Sequence, residues 1–149
     1  MIEQNKTYGF TIAVKELRET VPNLFRYASA FKRKPSPAGA SVFIDLPKAD
    51  TIVTNPVRVV FGLTGMTVAP VDAPAPNAGH HHLLIDTDLA NSSMPIPADA
   101  KHVHFGKGQT ETMLELPAGE HSLQLVLADE LHVPFEPMVA SQKIKIVVR

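Results

Sequence analysis

The sequence predicts an all-β chain: an antiparallel β-sandwich of six or seven strands, preceded by a short helical N-terminal extension. Three observations carry that prediction. From Ala40 onward apolar residues recur at every second position. The 13 prolines and 8 glycines, with 6% aromatic residues and no tryptophan, suit short strands joined by tight turns better than a helical bundle. No helical pattern separates the strand candidates, which argues against a parallel α/β sheet. A length of 149 residues allows one domain with a proper core plus an appendage. Residues 1–36 read as the appendage and 37–149 as the domain.

In the appendage, Val14, Leu17, Val21, Leu24, Phe25, Ala28 and Phe31 follow the three-and-four spacing of a helical stripe. Pro22 sits badly inside one long helix, so the stripe divides there, with Thr20 capping a second short helix that takes proline in its first turn. Lys32, Arg33 and Lys34 then lead into PSPAGA, a linker composition. Such a stripe suits docking on the sandwich or on a partner; the alternative is a mobile extension or a leader of non-native origin.

In the domain, ASVFIDLP and PVRVVFGLTG read as the first two strands, the second with Val57, Val59 and Phe61 on one face and KADTIVTNP as the turn between them. The proline-rich MTVAPVDAPAPNAG reads as a surface loop, because its prolines donate no ladder hydrogen bonds. GHHHLLID, TETMLEL, GEHSLQLVLAD and SQKIKIVVR complete six strands, and the connection from Thr87 to Gly108 has room for one short edge strand. Strands at this spacing with irregular connections point to an immunoglobulin-like arrangement.

Net charge and composition remove several functions. With 14 Lys plus Arg against 15 Asp plus Glu, a formal charge of -1 offers no basic field for nucleic acid or anionic lipid. The absence of cysteine removes disulfides, thiolate metal sites and cysteine nucleophiles. No apolar run approaches the ~20 residues of a transmembrane segment, and the N-terminus does not read as a signal peptide. No G-x-S-x-G or similar elbow marks a serine hydrolase. Glu111 and Glu115 fall on an outward face with Met113, and GKGQT reads as a glycine turn without the rest of a phosphate-loop pattern. Catalysis is therefore the least supported class, with an open-position zinc hydrolase its one admissible form.

The histidines are the exception to this quiet surface. All seven lie in the β region, and His80 with His82, like His102 with His104, have the i, i+2 relation that aims two side chains at one face of a strand. His81 is then opposed to its neighbours. In immunoglobulin strand order the histidine triplet, His102, His104, Asp129 and His132 converge at one pole, while His121 and Asp86 fall at the other. The candidate metal ligands are therefore His80, His82, His102, His104, Asp129 and His132. Imidazoles with a carboxylate and no thiol favour Zn²⁺, Cu²⁺ or Ni²⁺, with Asp129 as a ligand or as the acceptor that orients a histidine. Met66 is a conceivable soft ligand for copper, although a lone methionine is more often packing. The competing expectation is that histidines hydrogen-bond loop carbonyls and brace the long connections.

GHHHLLID, HVHFGKGQTET and LPAGEHSLQLVLAD, together with PSPAGASVFIDLPK and FGLTGMTVAP, resemble a bacterial family catalogued as a domain of unknown function. The resemblance runs from about Pro37 to Arg149 and implies a secreted or periplasmic protein with no activity attached. Where that family tends to read G-D-H-N-H-x-P-H, this chain has Ala128-Asp129-Glu130-Leu131-His132-Val133-Pro134-Phe135, so only Asp129 and His132 of the polar positions remain. The resulting expectation is a non-enzymatic extracytoplasmic module binding Zn or Cu, or else a structural or protein-interaction module whose partner is an envelope protein. The sequence is silent on oligomeric state.

Overall fold

The computed structural model describes residues 32–149, and Arg33–Arg149 form one compact unit. The expected helical stripe from Val14 to Phe31 lies outside the described residues. The described chain is all-β, in the order β1 (Ser41–Leu46), β2 (Thr51–Val53), β3 (Val57–Thr64), β4 (Thr67–Val68), β5 (Ala78–Ile85), β6 (His102–Phe105), β7 (Glu111–Leu114), β8 (Gly119–Ala128) and β9 (Ile144–Val148). One sheet has the order β1-β3-β7; the larger has the order β2-β9-β8-β5-β4, with β6 also paired to β5.

The six strands read from sequence are present as β1, β3, β5, β7, β8 and β9, and the hidden edge strand is β6. The count of six or seven is corrected to nine among the described residues by two short additions. Thr51–Val53, expected as turn, runs parallel to Ile146–Val148, and Thr67–Val68, expected as loop, runs parallel to Ala78–Gly79. Ladders of three and two residues are too short to display a period of two, so the pattern does not announce them.

Between the sheets lies the main core. Val42, Val57, Val59 and Phe61 from the small sheet meet Leu83, Ile85, Leu123, Leu125, Leu127, Ile146 and Val148 from the larger one. Each fully buried leucine or isoleucine contributes on the order of 2 kcal/mol relative to exposure, which makes this interface the main apolar support of the fold. Alternation sends the other residues of β5 and β8 outward, and these too are covered. Leu84, Val126 and Ala128 pack under Ile96 of the long connection, with Leu89 and Ala140 beside them. All eight residues of β5 are consequently buried, three histidines included.

This second layer exists because β9 pairs only with the first half of β8, Gly119 to Leu123. The free edge beyond is satisfied by the returning chain: Leu127 N donates to Val139 O at 2.9 Å, Ser141 N to Leu125 O at 2.8 Å, and Leu125 N to Ser141 Oγ at 2.9 Å. The segment after β8 is pinned in turn by the start of the described chain. Glu136 N donates to Lys34 O at 2.9 Å, Ser36 N to Glu136 O at 3.1 Å, and Arg33 donates to the carbonyls of Pro134 and Phe135.

Candidate metal centre

Four histidines meet on the covered outer face of the larger sheet. β5 supplies His80 and His82, which share that face with Leu84, while His81 points inward to Phe61 at a ring separation of 4.9 Å. β6 supplies His104, the direct cross-strand partner of His82. His132 comes from the turn after β8. The six pairwise ring-centroid distances among these four run from 4.7 Å, for His80–His82 and for His104–His132, to 5.6 Å for His82–His132.

The turn that delivers His132 is built by Asp129. Its Oδ1 accepts from Leu131 N at 2.9 Å and Val133 N at 3.0 Å, and its backbone carbonyl accepts from His132 N at 2.8 Å. His132 thereby adopts φ of 66°, a left-handed conformation that costs a non-glycine residue energy and persists where the surroundings impose it. His104 owes its place to Gly106, where an added Cβ would lie 2.4 Å from His104 Nε2 and 2.7 Å from Val71 Cγ2. A side chain at 106 would occupy the space the imidazole fills.

Two ring nitrogens lie within hydrogen-bond distance of His80 Nε2. His80 Nε2 lies 2.9 Å from His82 Nε2 and 3.2 Å from His132 Nδ1. A neutral imidazole nitrogen either donates one proton or accepts on one lone pair, so His80 Nε2 satisfies one of these neighbours well and opposes the other. A cation at the centre removes that conflict. Tetrahedral coordination at about 2.0–2.1 Å per nitrogen gives ligand–ligand edges of about 3.3 Å, close to the 3.2 Å between His80 Nε2 and His132 Nδ1. Donor atoms of His80, His104 and His132 all lie within 4.8 Å of one another.

Electrostatics keep the inner histidines in the neutral form. Burial, then repulsion among the rings, lowers His80 to a pKa of about 4 and His82 to about 2; burial chiefly lowers His132 as well. All three are neutral imidazoles near pH 7, as metal ligation requires. His82 Nδ1 has no hydrogen-bond partner among the described residues, nor has His81 Nδ1.

Of the residues singled out from sequence, the structure brings together His80, His82, His104 and His132. Asp129 is 1% exposed and its carboxylate serves the backbone of the His132 turn, the orienting role rather than direct contact. His102 shares the face but turns to Asp99, with Nδ1 2.7 Å from Asp99 Oδ1. His121 pairs with Asp86 at 2.7 Å and with Pro117 O at 2.7 Å, so it braces a turn at the other end of β8. Met66 packs in the core between the sheets. Gly106 was not read as part of the site; glycine two residues after His104 is the signal that was available, a place where a backbone yields room to a ring.

On the solvent side His104 and His132 open on a cavity of about 380 Å³, lined also by Val71, Asp72, Gly106, Lys107 and Gln109. His80 and His82 lie behind them, each 1% exposed.

Comparison with known proteins supplies a family. Residues 59–149 match the model described as Domain of unknown function (DUF4399). Two Schizosaccharomyces pombe proteins, O-glycoside alpha-1,2-mannosyltransferase homologs 4 and 5, are 46% identical over 52 residues and 58% identical over 33 residues. Those segments are 34% and 22% of this chain but only 12% and 8% of the two proteins, far short of their length. Among solved structures, the endo-beta-1,4-mannanase of Thermotoga petrophila aligns over 74% of this chain and 20% of its own at 17% identity and a TM-score of 0.43. The fibronectin(III)-like modules of Clostridium thermocellum CbhA align over 72% of this chain and 95% of theirs at 14% identity and a TM-score of 0.37.

Proposed function

The chain belongs to the DUF4399 family, which brings no activity with its description, and we propose from the geometry of the histidine cluster that it is a non-enzymatic binding module for a divalent transition metal. His80, His82, His104 and His132 are the ligands in this reading; the convergence of the ring nitrogens of His80, His104 and His132 is the observation that carries it, and His82 Nε2 joins them 2.9 Å from His80 Nε2. An all-nitrogen donor set with no thiolate or thioether suits Zn²⁺ or Cu²⁺, with Cu²⁺ the tighter of the two by the general order of divalent affinities. The brace role applies to other histidines, His102 and His121, whose partners are a carboxylate and, for His121, also a carbonyl. The cluster histidines face one another instead.

Residues 37–149 form the binding domain in this reading, an immunoglobulin-type sandwich. The order β1-β3-β7 against β9-β8-β5-β6 supports that assignment, since it corresponds to strands A-B-E and G-F-C-C′. An extracytoplasmic location, periplasmic or secreted, follows from the family resemblance of the sequence. No helix among the described residues is long and apolar enough to cross a membrane.

Calorimetric titration of chelator-stripped full chain with Zn²⁺ and with Cu²⁺ tests the reading. One ion per chain is expected, with binding abolished in His80→Ala/His82→Ala and retained in His102→Ala, which alters the same sheet face outside the cluster. Flat titrations with both metals overturn it.

A further inference from the structure

The metal cluster has an asymmetric setting. His80 and His82 are each 1% exposed, whereas His104 and His132 form part of the wall of the cavity of about 380 Å³. An ion held by all four therefore has protein on one side and open volume on the other. That volume sits at the small end of ligand sites, with space for a molecule of several heavy atoms.

Charge indicates what kind of molecule. Four neutral imidazoles leave a divalent ion's charge uncompensated, and a partly buried charge without an opposite partner is costly. The nearby carboxylates are engaged elsewhere: Asp129 Oδ1 accepts two backbone N–H groups, and Glu130 is bound by Lys34 Nζ at 2.6 and 2.8 Å. The cavity wall carries one cation, Lys107, and one anion, Asp72. Their charges cancel, so the ion's own field sets the sign of the guest. The turn bearing Lys107 is ordered by its N–H donating to Gln109 Oε1 at 2.9 Å.

We propose that this cavity seats a small monocarboxylate that binds the metal as an exogenous ligand, its free oxygen directed to Lys107. The proposal rests on the metal reading above. The module then recognises a metal–carboxylate pair rather than a bare ion, and the carboxylate enters by way of Val71, Gly106 and Lys107.

Cobalt(II) makes the test legible, because its visible absorption reports coordination number. The full chain is loaded with Co²⁺ and titrated with acetate, with phosphate as the second probe. Saturable loss of band intensity with acetate is expected, as four-coordinate cobalt gains a fifth ligand, with bound cobalt unchanged by elemental analysis. The acetate affinity should fall about tenfold in Lys107→Ala, the size expected for losing one charge-assisted contact, and vanish in Val71→Phe, which fills the cavity. Both variants should still bind one cobalt. Stoichiometric cobalt with a spectrum indifferent to acetate overturns the carboxylate seat and leaves the metal reading standing. An acetate response unchanged in both variants, or matched by phosphate, also overturns it. Failure to bind cobalt at all refutes the metal reading, and the seat with it.

Discussion

At the scale of single residues, the site depends as much on a side chain that is missing as on the four that converge. Gly106 leaves the space that His104 occupies, and a methyl group there would sit 2.4 Å from the imidazole nitrogen. The ring is the far end of a side chain at an exposed position, so it yields more easily than the sheet behind it. Gly106→Ala should therefore leave the fold intact and expel His104 from the cluster. Metal affinity should fall by roughly 10- to 100-fold, the range seen when the support of a ligand is removed. Calorimetry alongside circular dichroism checks this; unchanged affinity would mean that His104 is not a ligand. The i, i+2 histidine pairs put His80 and His82 on one face, as they stand in β5, because alternation along a strand is fixed by backbone geometry. The same rule implicates His102, whose ring turns to Asp99 for a local reason. Asp99, three residues earlier, closes a turn whose carboxylate accepts from Lys101 N, His102 N and His102 Nδ1, which draws that ring away.

At the scale of elements, the ends of β5 and β8 show how polar groups fix a strand register opposite the site. Asp86 follows β5 in a left-handed conformation with φ of 56°, and its carboxylate accepts from Ser122 N at 2.8 Å and His121 Nδ1 at 2.7 Å. The contact with His121 and the Ser122 N–H hold Asp86 below its ordinary pKa against the opposing effect of burial, and the same contact holds His121 above its own. The sign of the pH effect follows from each shift. A lowered carboxylate stabilises the fold above its unfolded pKa, near 3.8, and that contribution is lost as pH falls through the folded value. A raised histidine stabilises it below its unfolded pKa, near 6.5, and loses that as pH rises through the folded value. Both contributions are present together between about pH 4 and 6.5. Asp86→Asn, which tolerates the same backbone conformation, should cost about 1–2 kcal/mol in that window and less at pH 8. Urea unfolding of the two proteins at pH 5.5 and 8 measures the difference, and an equal loss at both would exclude an ionic contribution. Strand polarity had already put His121 and Asp86 at the opposite end from the cluster. What polarity did not disclose is that β6 folds back beside β5 to set His104 across from His82, or that the chain after β8 crosses the outer face. Those placements depend on contacts far apart in sequence, such as Ile96 N donating to His132 O at 2.8 Å, which no local period encodes.

At the scale of the whole molecule, the histidine cluster lies on the same face of the larger sheet as the second layer, so the proposed metal reading predicts that metal binding and folding are thermodynamically linked. The layer is smaller than the main core: Leu84, Ile96, Val126 and Ala128 form it, against fifteen buried residues between the sheets. Without an ion, the same sheet face also buries His80 Nε2 between two ring nitrogens, of which it can satisfy one, and a His82 Nδ1 without a partner among the described residues, both of which weaken it. An ion that binds four ligands drawn from β5, β6 and the turn after β8 ties together elements that the apolar contacts hold less firmly. Ligand binding to the folded state alone stabilises it by about 2.7 kcal/mol at a free concentration 100 times the dissociation constant. For a domain of this size that corresponds to a rise in melting temperature of roughly 10 °C. Scanning calorimetry with and without Zn²⁺ should show such a rise in the full chain and none in His80→Ala/His82→Ala. Histidines also bind zinc in unfolded chains, which diminishes the rise but does so equally in a protein retaining the other five. The difference between the two proteins is thus the diagnostic quantity, and equal shifts in both would place the zinc outside the cluster.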